Sequence, residues 1–157
     1  MPIDGNRSRA RQEDLHLIWV HIGDPAWDRH LMAELNEVVD ILSSDGAKVV
    51  LFTVPYVDPP NTTANGTPFP ENEPSRMKAF NRLLVGVAQR RKSLVSVIDL
   101  NTFLDPRGHF QLVVDGVTVR SADGVHLTLA GGEWLQPDVL PAVAAVGLED
   151  RAKMVTP

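Results

Sequence analysis

Thr118 to Gln136 reads TVRSADGVHLTLAGGEWLQ, and its order of residue types sets the expectation for the rest of the chain. Two β-formers, Thr118 and Val119, lead into the turn dipeptide Asp123-Gly124. A histidine follows, and then a helical pattern begins at Leu129, with Thr128 placed to cap it. Asp123 and His126 stand three positions apart across the turn. A carboxylate there can accept a hydrogen bond from one imidazole nitrogen, fix the tautomer, and leave the other nitrogen as a general base. A triad needs a nucleophile as well. The same residues also suit a plain Asp-Gly turn running into a capped helix, so spacing alone leaves both readings open.

The longer string narrows them. Arg120-Ser121-Ala122-Asp123-Gly124-Val125-His126-Leu127-Thr128, followed by Ala130-Gly131-Gly132 and Trp134-Leu135, resembles the closing motif block of SGNH hydrolases, also called GDSL-type esterases. The match is closest to SGNH domains fused behind integral-membrane O-acyltransferases of bacterial cell envelopes. The resemblance implies that Asp123 and His126 complete a Ser-His-Asp triad, with His126 as the base and Asp123 as its orienter. It implies a flavodoxin-like three-layer α/β fold and an acyl-ester substrate on an envelope glycan or lipid. It covers about Trp19 to Ala142, and is strongest at its end.

The family's nucleophile sits in a Gly-Asp-Ser block after the first strand. Here Gly23-Asp24 is followed by Pro25, which cannot be a nucleophile. Asp24 and Asp123 are also only about one hundred residues apart, too close to enclose a whole domain. HIGDPAWDRHLMAELNEVVDIL followed by GAKVVLFTVPY is similar to the middle of the acyltransferase-linked domains. The expectation is therefore the C-terminal part of such a domain, with its first strands absent or replaced.

None of the remaining serines fits the role. Ser8 falls in a polar tail, Ser43 and Ser44 at a helix end, Ser75 at a helix cap, and Ser93 and Ser96 by a strand. Ser121 lies near Asp123 and His126 but has no strained elbow or helix N-terminus behind it. It is the first serine to test.

Working outward, residues 1 to 14 are polar and Arg-rich and read as a disordered tail. The domain is expected over residues 15–147, with a loose tail from 148 to 157. Leu15 to Ile22 reads as a strand or extended segment, and Asp24-Pro25 as a helix start. Ala26 to Leu42 has helical period, with Leu31, Leu35, Val38, Val39 and Leu42 on one stripe. Ala47 to Tyr56 is the clearest strand, apolar enough to be parallel and covered on both faces. Val57 to Pro74 is a long loop rich in Pro, Asn, Thr and Gly.

Ser75 to Arg90 is a second amphipathic helix, with Met77, Phe80, Leu83, Leu84 and Val87 inward and Ser75 as cap. Leu94 to Leu100 is another buried strand. Phe103 to Arg120 carries shorter β-like pieces around Gly108 and Asp115-Gly116, read as a small hairpin. The last helix runs from about Leu129 through Val146, interrupted near Pro137 or Pro141. Alternating strands and helices point to an α/β fold with a parallel sheet, whose functional loops gather at the carboxyl ends of the strands.

Composition bounds the alternatives. At 157 residues with 43% apolar content, one domain can bury a core. The net charge of −5, and two short basic clusters without interleaved aromatics, argue against nucleic-acid binding. The absence of cysteine excludes disulfides, thiolate catalysis and cysteine metal sites but leaves the compartment open. No stretch reads as a signal peptide or transmembrane helix, while the resemblance implies an extracytoplasmic setting if the chain is part of a membrane acyltransferase.

His16, His21, His30 and His109 have no metal-ligand spacing, and Asp24, Asp28 and His30 suit a solvated helix start, so no metal or cofactor is expected. A nucleotide-binding domain would need a glycine-rich phosphate loop, which is missing. Asn61-Thr-Thr and Asn65-Gly-Thr match the glycosylation pattern but need a secretory route. Trp27 and Trp134 are expected to pack on the sheet, and Arg120 to brace Asp123, with contact to an acyl or anionic group as the alternative. If the first strands are missing, an uncovered sheet edge favours self-association. The opposed functional reading is a non-catalytic binding module on the same frame.

Overall fold

A computed structural model describes residues 20–154, with side chains to Leu148. The tail expected over residues 1–14 lies outside it, as do Leu15 to Trp19 of the first expected strand. The last residues of that stretch enter a turn, closed by Asp24 N donating to His21 O at 3.0 Å.

Helix α1 spans Pro25–Leu42, with Asp24 at the N-cap position and Pro25, its φ already helical, opening the first turn. Both nearby carboxylates serve the backbone. Asp24 accepts from His21 N at 2.9 Å and Asp28 from Gly23 N at 2.8 Å. Strand β1 (Val49–Phe52), helix α2 (Pro74–Arg90) and strand β2 (Val95–Ile98) follow. The strands are parallel, with Val49 opposite Val95 and Phe52 opposite Ile98. A parallel pair needs a crossover, and α2 supplies it. Helix α2 begins one residue before the expected Ser75 cap, because Pro74 pre-sets the first turn; Glu73 is the N-cap residue, and Ser75 Oγ donates to its carboxylate.

Val39 of α1, Val87 of α2, Val49 and Val95 form one core cluster, with Met32, Leu35, Leu51, Ala88 and Leu94 around it. Arg91 clamps the two helices, pairing with the Asp40 carboxylate and donating to Asn36 O at 3.1 Å. The expected α1 stripe is only partly correct: Val39 is buried, but Val38 is 46% and Leu42 56% exposed. The helix turns its Met32–Asn36–Val39 side to α2 and the strands, which leaves the flank of the stripe uncovered. Likewise Phe52 is 38% exposed, so β1 is not covered throughout. In α2 the buried residues are Met77, Ala79, Leu84 and Val87, while Phe80 and Leu83 are half-buried.

A second cluster forms where α3 (Leu100–Leu104) meets the hairpin of β3 (Val113–Val114) and β4 (Val117–Thr118). Asp115 and Gly116 turn the hairpin with φ of 49° and 80°, the two positive angles of a type I′ turn. Leu104, Val114 and Val119 are buried there, and Trp134 packs against them.

Trp134 belongs to α4, Leu129–Met154. The expected break does not occur, for the helix runs through Pro137 and Pro141, which stand one turn apart and are both exposed. Both prolines face outward, so their rings do not push the helix against the elements it packs on. The backbone stays helical past residue 148, where a loose tail is expected, as far as Met154; residues 155–157 lie outside the described ones. Thr128 caps α4 as expected, its Oγ accepting from Gly131 N at 2.9 Å. Helix α4 packs on β4 and touches β2.

Candidate active site

The residues leaving the carboxyl ends of β1 and β2 are fixed by polar side chains. Thr53 Oγ1 donates to Asp99 Oδ1 at 2.8 Å and accepts from Asn101 N at 2.9 Å. Asp99 also caps α3 through Thr102 N at 3.1 Å. Burial raises the Asp99 pKa, but hydrogen bonds from Thr102 and Thr53 outweigh that and hold it below the usual carboxylate value. Asn81 reads both backbone groups of Val54, at 2.7 and 2.8 Å. The chain therefore leaves β1 along a fixed path towards Tyr56 and Asp58.

The Asp-His loop is tied to that path. Arg120 and Leu127 close it as an antiparallel bridge, Ser121 N donates to His126 O at 2.8 Å, and Gly124 N donates to Ser121 O at 3.0 Å. Asp58 N donates to Gly124 O at 2.9 Å. Gly124 has φ +70°, and a Cβ on it would lie 2.0 Å from the Asp58 carbonyl oxygen. Gly131 is a second close approach: a Cβ there would lie 2.4 Å from Val119 O, so α4 sits directly on the strand that feeds the loop.

Asp123 organises the loop. Its Oδ1 accepts from Val125 N at 2.9 Å, from His126 N at 3.0 Å and from the Ser121 hydroxyl. Its Oδ2 lies 2.6 Å from His126 Nδ1. A carboxylate only accepts, so Nδ1 carries a proton, and in the neutral ring Nε2 is then the nitrogen with the lone pair. The His126 side chain is 78% exposed, and among the described residues no hydrogen bond reaches Nε2. The hydrogen bonds from Ser121, then those from the His126 ring and the two backbone N–H groups, hold the Asp123 carboxyl well below the usual range. A depressed carboxylate stabilises the fold fully above its unfolded pKa and loses that contribution as pH falls through the folded value. The loop is thus expected to keep its structure from neutral pH down through the ordinary carboxylate range near 4.

Asp123→Asn is expected to undo this arrangement. An amide oxygen can still accept from the backbone, but the amide nitrogen cannot accept from Nδ1–H. Nitrogen NMR of the ring at pH 7 should show Nδ1–H in the parent and a mixture of tautomers in the variant. An unchanged tautomer in the variant would mean that Asp123 does not orient the ring.

Beneath the loop lies a buried brace that the sequence reading assigned only in outline. Arg120 is 3% exposed and its Nη2 stands 3.6 Å from Asp105 Oδ2. It does not contact Asp123 but donates to Val125 O at 3.1 Å and Tyr56 O at 3.3 Å. Asp105 accepts in turn from Tyr56 N at 2.7 Å and Gln111 N at 3.1 Å. Burial pushes the Asp105 carboxyl up and lowers the Arg120 pKa, each against the pull of its partner. Nothing in Leu104-Asp105-Pro106-Arg107-Gly108 signals a buried carboxylate, for the string reads as a surface turn.

Three of the described serines have hydrogen-bond partners other than Nε2. Ser121 is turned towards Asp123, Ser43 bonds its own helix at Val39 O, and Ser75 meets Glu73. Ser8 lies outside the described residues.

These features define an α/β protein with a braced, solvent-facing Asp–His pair. The model of a family described as proteins of unknown function, DUF459, matches residues 11–142, and the chain belongs to that family. The family is SGNH-hydrolase-like. No curated protein matches the chain at a significant level.

Proposed function

We propose that this chain is an SGNH-type ester hydrolase or O-acyl transferase domain acting on acyl esters, of envelope glycans or lipids. The observation that carries the reading is His126, held through Nδ1 by Asp123 with Nε2 open to an incoming hydroxyl. In this reading Nε2 takes the proton of a serine as that oxygen attacks the ester carbonyl, then returns it to the leaving alcohol. Asp123 steadies the ring and the imidazolium that forms. The serine comes from outside the described side chains, and β1, β2 and their helices are part of a three-layer flavodoxin-like frame. The membership in DUF459 and the motif Asp123-Gly124-Val125-His126 support this. The orientation of Ser121 supports instead a second reading, a binding module that does not turn over.

The two readings separate in an assay with short-chain nitrophenyl esters. The purified chain alone is expected to show little turnover. Adding a polypeptide that carries a Gly-Asp-Ser block is expected to create turnover that His126→Ala lowers by roughly 10³-fold or more. Turnover in neither sample supports the binding module. Turnover by the chain alone that Ser121→Ala abolishes would identify Ser121 as the nucleophile.

Self-association belongs to the same proposal. Among the described residues neither outer edge of the β1–β2 pair carries a partner strand, and Val38, Ile41, Leu42 and Phe52 are exposed apolar groups. Unpaired edges and uncovered apolar surface both favour pairing with another chain. Size-exclusion chromatography with light scattering should show dimers or larger species, and a sharp monomer peak would refute the idea.

A further inference from the structure

We propose that the cavity under the Val57–Pro74 loop receives the acyl chain of the ester on which His126 acts, and that this acyl group is short and uncharged. The inference rests on the esterase reading for its link to His126, and on the cavity itself for the rest. The cavity has a volume of about 670 Å³, within the usual range for a small-molecule site. Tyr56, Val57, Pro59, Pro68 and Phe110 give it apolar walls, and Thr63, Thr67, Asn72 and His109 add polar groups to the lining.

The roof is built rather than draped. Thr63 N donates to Thr67 O at 2.8 Å, Gly66 N donates to Thr63 O at 2.9 Å, and Thr62 bridges Pro68. The floor is fixed too. Tyr56 is 4% exposed, its N–H is held by Asp105 and its carbonyl by Arg120. The same Arg120 holds Val125 O beside His126. One buried brace thus sets both the cavity floor and the loop that carries the base. Asp58, a wall residue, makes the backbone contact with Gly124.

Charge decides the ligand class. Asp58 and Glu73 both line the cavity, so an anion entering it meets two carboxylates. A neutral ester chain escapes that repulsion. The carboxylate released by hydrolysis does not, which favours departure of the product.

Amide NMR of the purified chain tests this without any need for turnover. The probes are pentan-2-one, butanoate and butyltrimethylammonium, which share a short alkyl chain and differ in charge. Pentan-2-one is expected to shift the amides of Thr63, Thr67 and His109 saturably, with butanoate weaker by about tenfold or more. Val57→Phe, which fills the cavity, is expected to weaken the ketone by a similar factor. Tightest binding by the cation overturns the proposal. So do ketone shifts confined to the apolar groove of Leu127, Leu135 and Leu140, or no shift at the three amides. Ketone binding in a chain that shows no esterase activity under any condition would keep the cavity and remove the esterase reading.

Discussion

Arg120→Ala is expected to destabilise the protein by about 3–5 kcal/mol, the usual cost of stripping one partner from a buried ion pair. The cause is the state in which Asp105 is left. Its side chain is fully buried beside Arg120, and among the described residues its other donors are two backbone N–H groups. Burial already pushes its pKa up, and removing the guanidinium removes the larger opposing charge. Tyr56 O and Val125 O lose their donor in the same change, which adds buried acceptors without partners.

Arg120→Lys should recover little of this. One ammonium on a flexible stem cannot place donors on Asp105, Tyr56 and Val125 together, as a planar guanidinium can. For a domain of this size the loss corresponds to a fall in Tm of roughly 10 °C, read by a thermal melt at pH 7. A fall of less than about 3 °C for Arg120→Ala would mean that the pair and its carbonyl contacts are not coupled to folding.

Gly124→Ala is expected to cost about 2–4 kcal/mol and to detach the Asp-His loop from Asp58. The left-handed φ of +70° accounts for about 1–2 kcal/mol of that in any L-residue. The rest is steric, since a methyl group 2.0 Å from the Asp58 oxygen forces the two segments apart. The Asp58–Gly124 hydrogen bond, worth about 1 kcal/mol, then breaks. Gly108→Ala is the matched control. Its φ is +77° but nothing lies within 4 Å of a Cβ there, so only the conformational part should appear. Urea melts of both variants, with amide shifts of Val125 and His126, make the comparison. Equal losses in the two variants would show that the approach to Asp58 does not matter.

These two changes mark how far local sequence goes in this molecule. Asp123-Gly124 dictates a turn, because Gly accepts a positive φ and Asp can bond the amides two and three residues on. Thr128 dictates a helix start. The Asp-Gly at 115–116 dictates a type I′ hairpin, and the alternation of apolar strands with amphipathic helices dictates an α/β fold. These are contacts within a few residues, and their signals lie in one short window. The Asp123–His126 pair is legible for the same reason, since both members sit on one turn.

The rest required the chain to be assembled. Asp105 and Arg120 are 15 positions apart, and Tyr56 joins them from the other side of α2 and β2. No window contains all three, and a charged residue in a turn-like string gives no sign that folding will bury it. The same holds for Val38 and Leu42, whose period is helical but whose exposure depends on where α1 meets α2. Proline alone predicts a break in α4, and only the folded chain shows the helix running on with both prolines facing outward. Sequence by itself determined the turn, its cap and the pairing of Asp123 with His126. Tertiary structure decided what holds that turn in place, because a buried ion pair and a 2.0 Å clearance are properties of surfaces that meet only after folding.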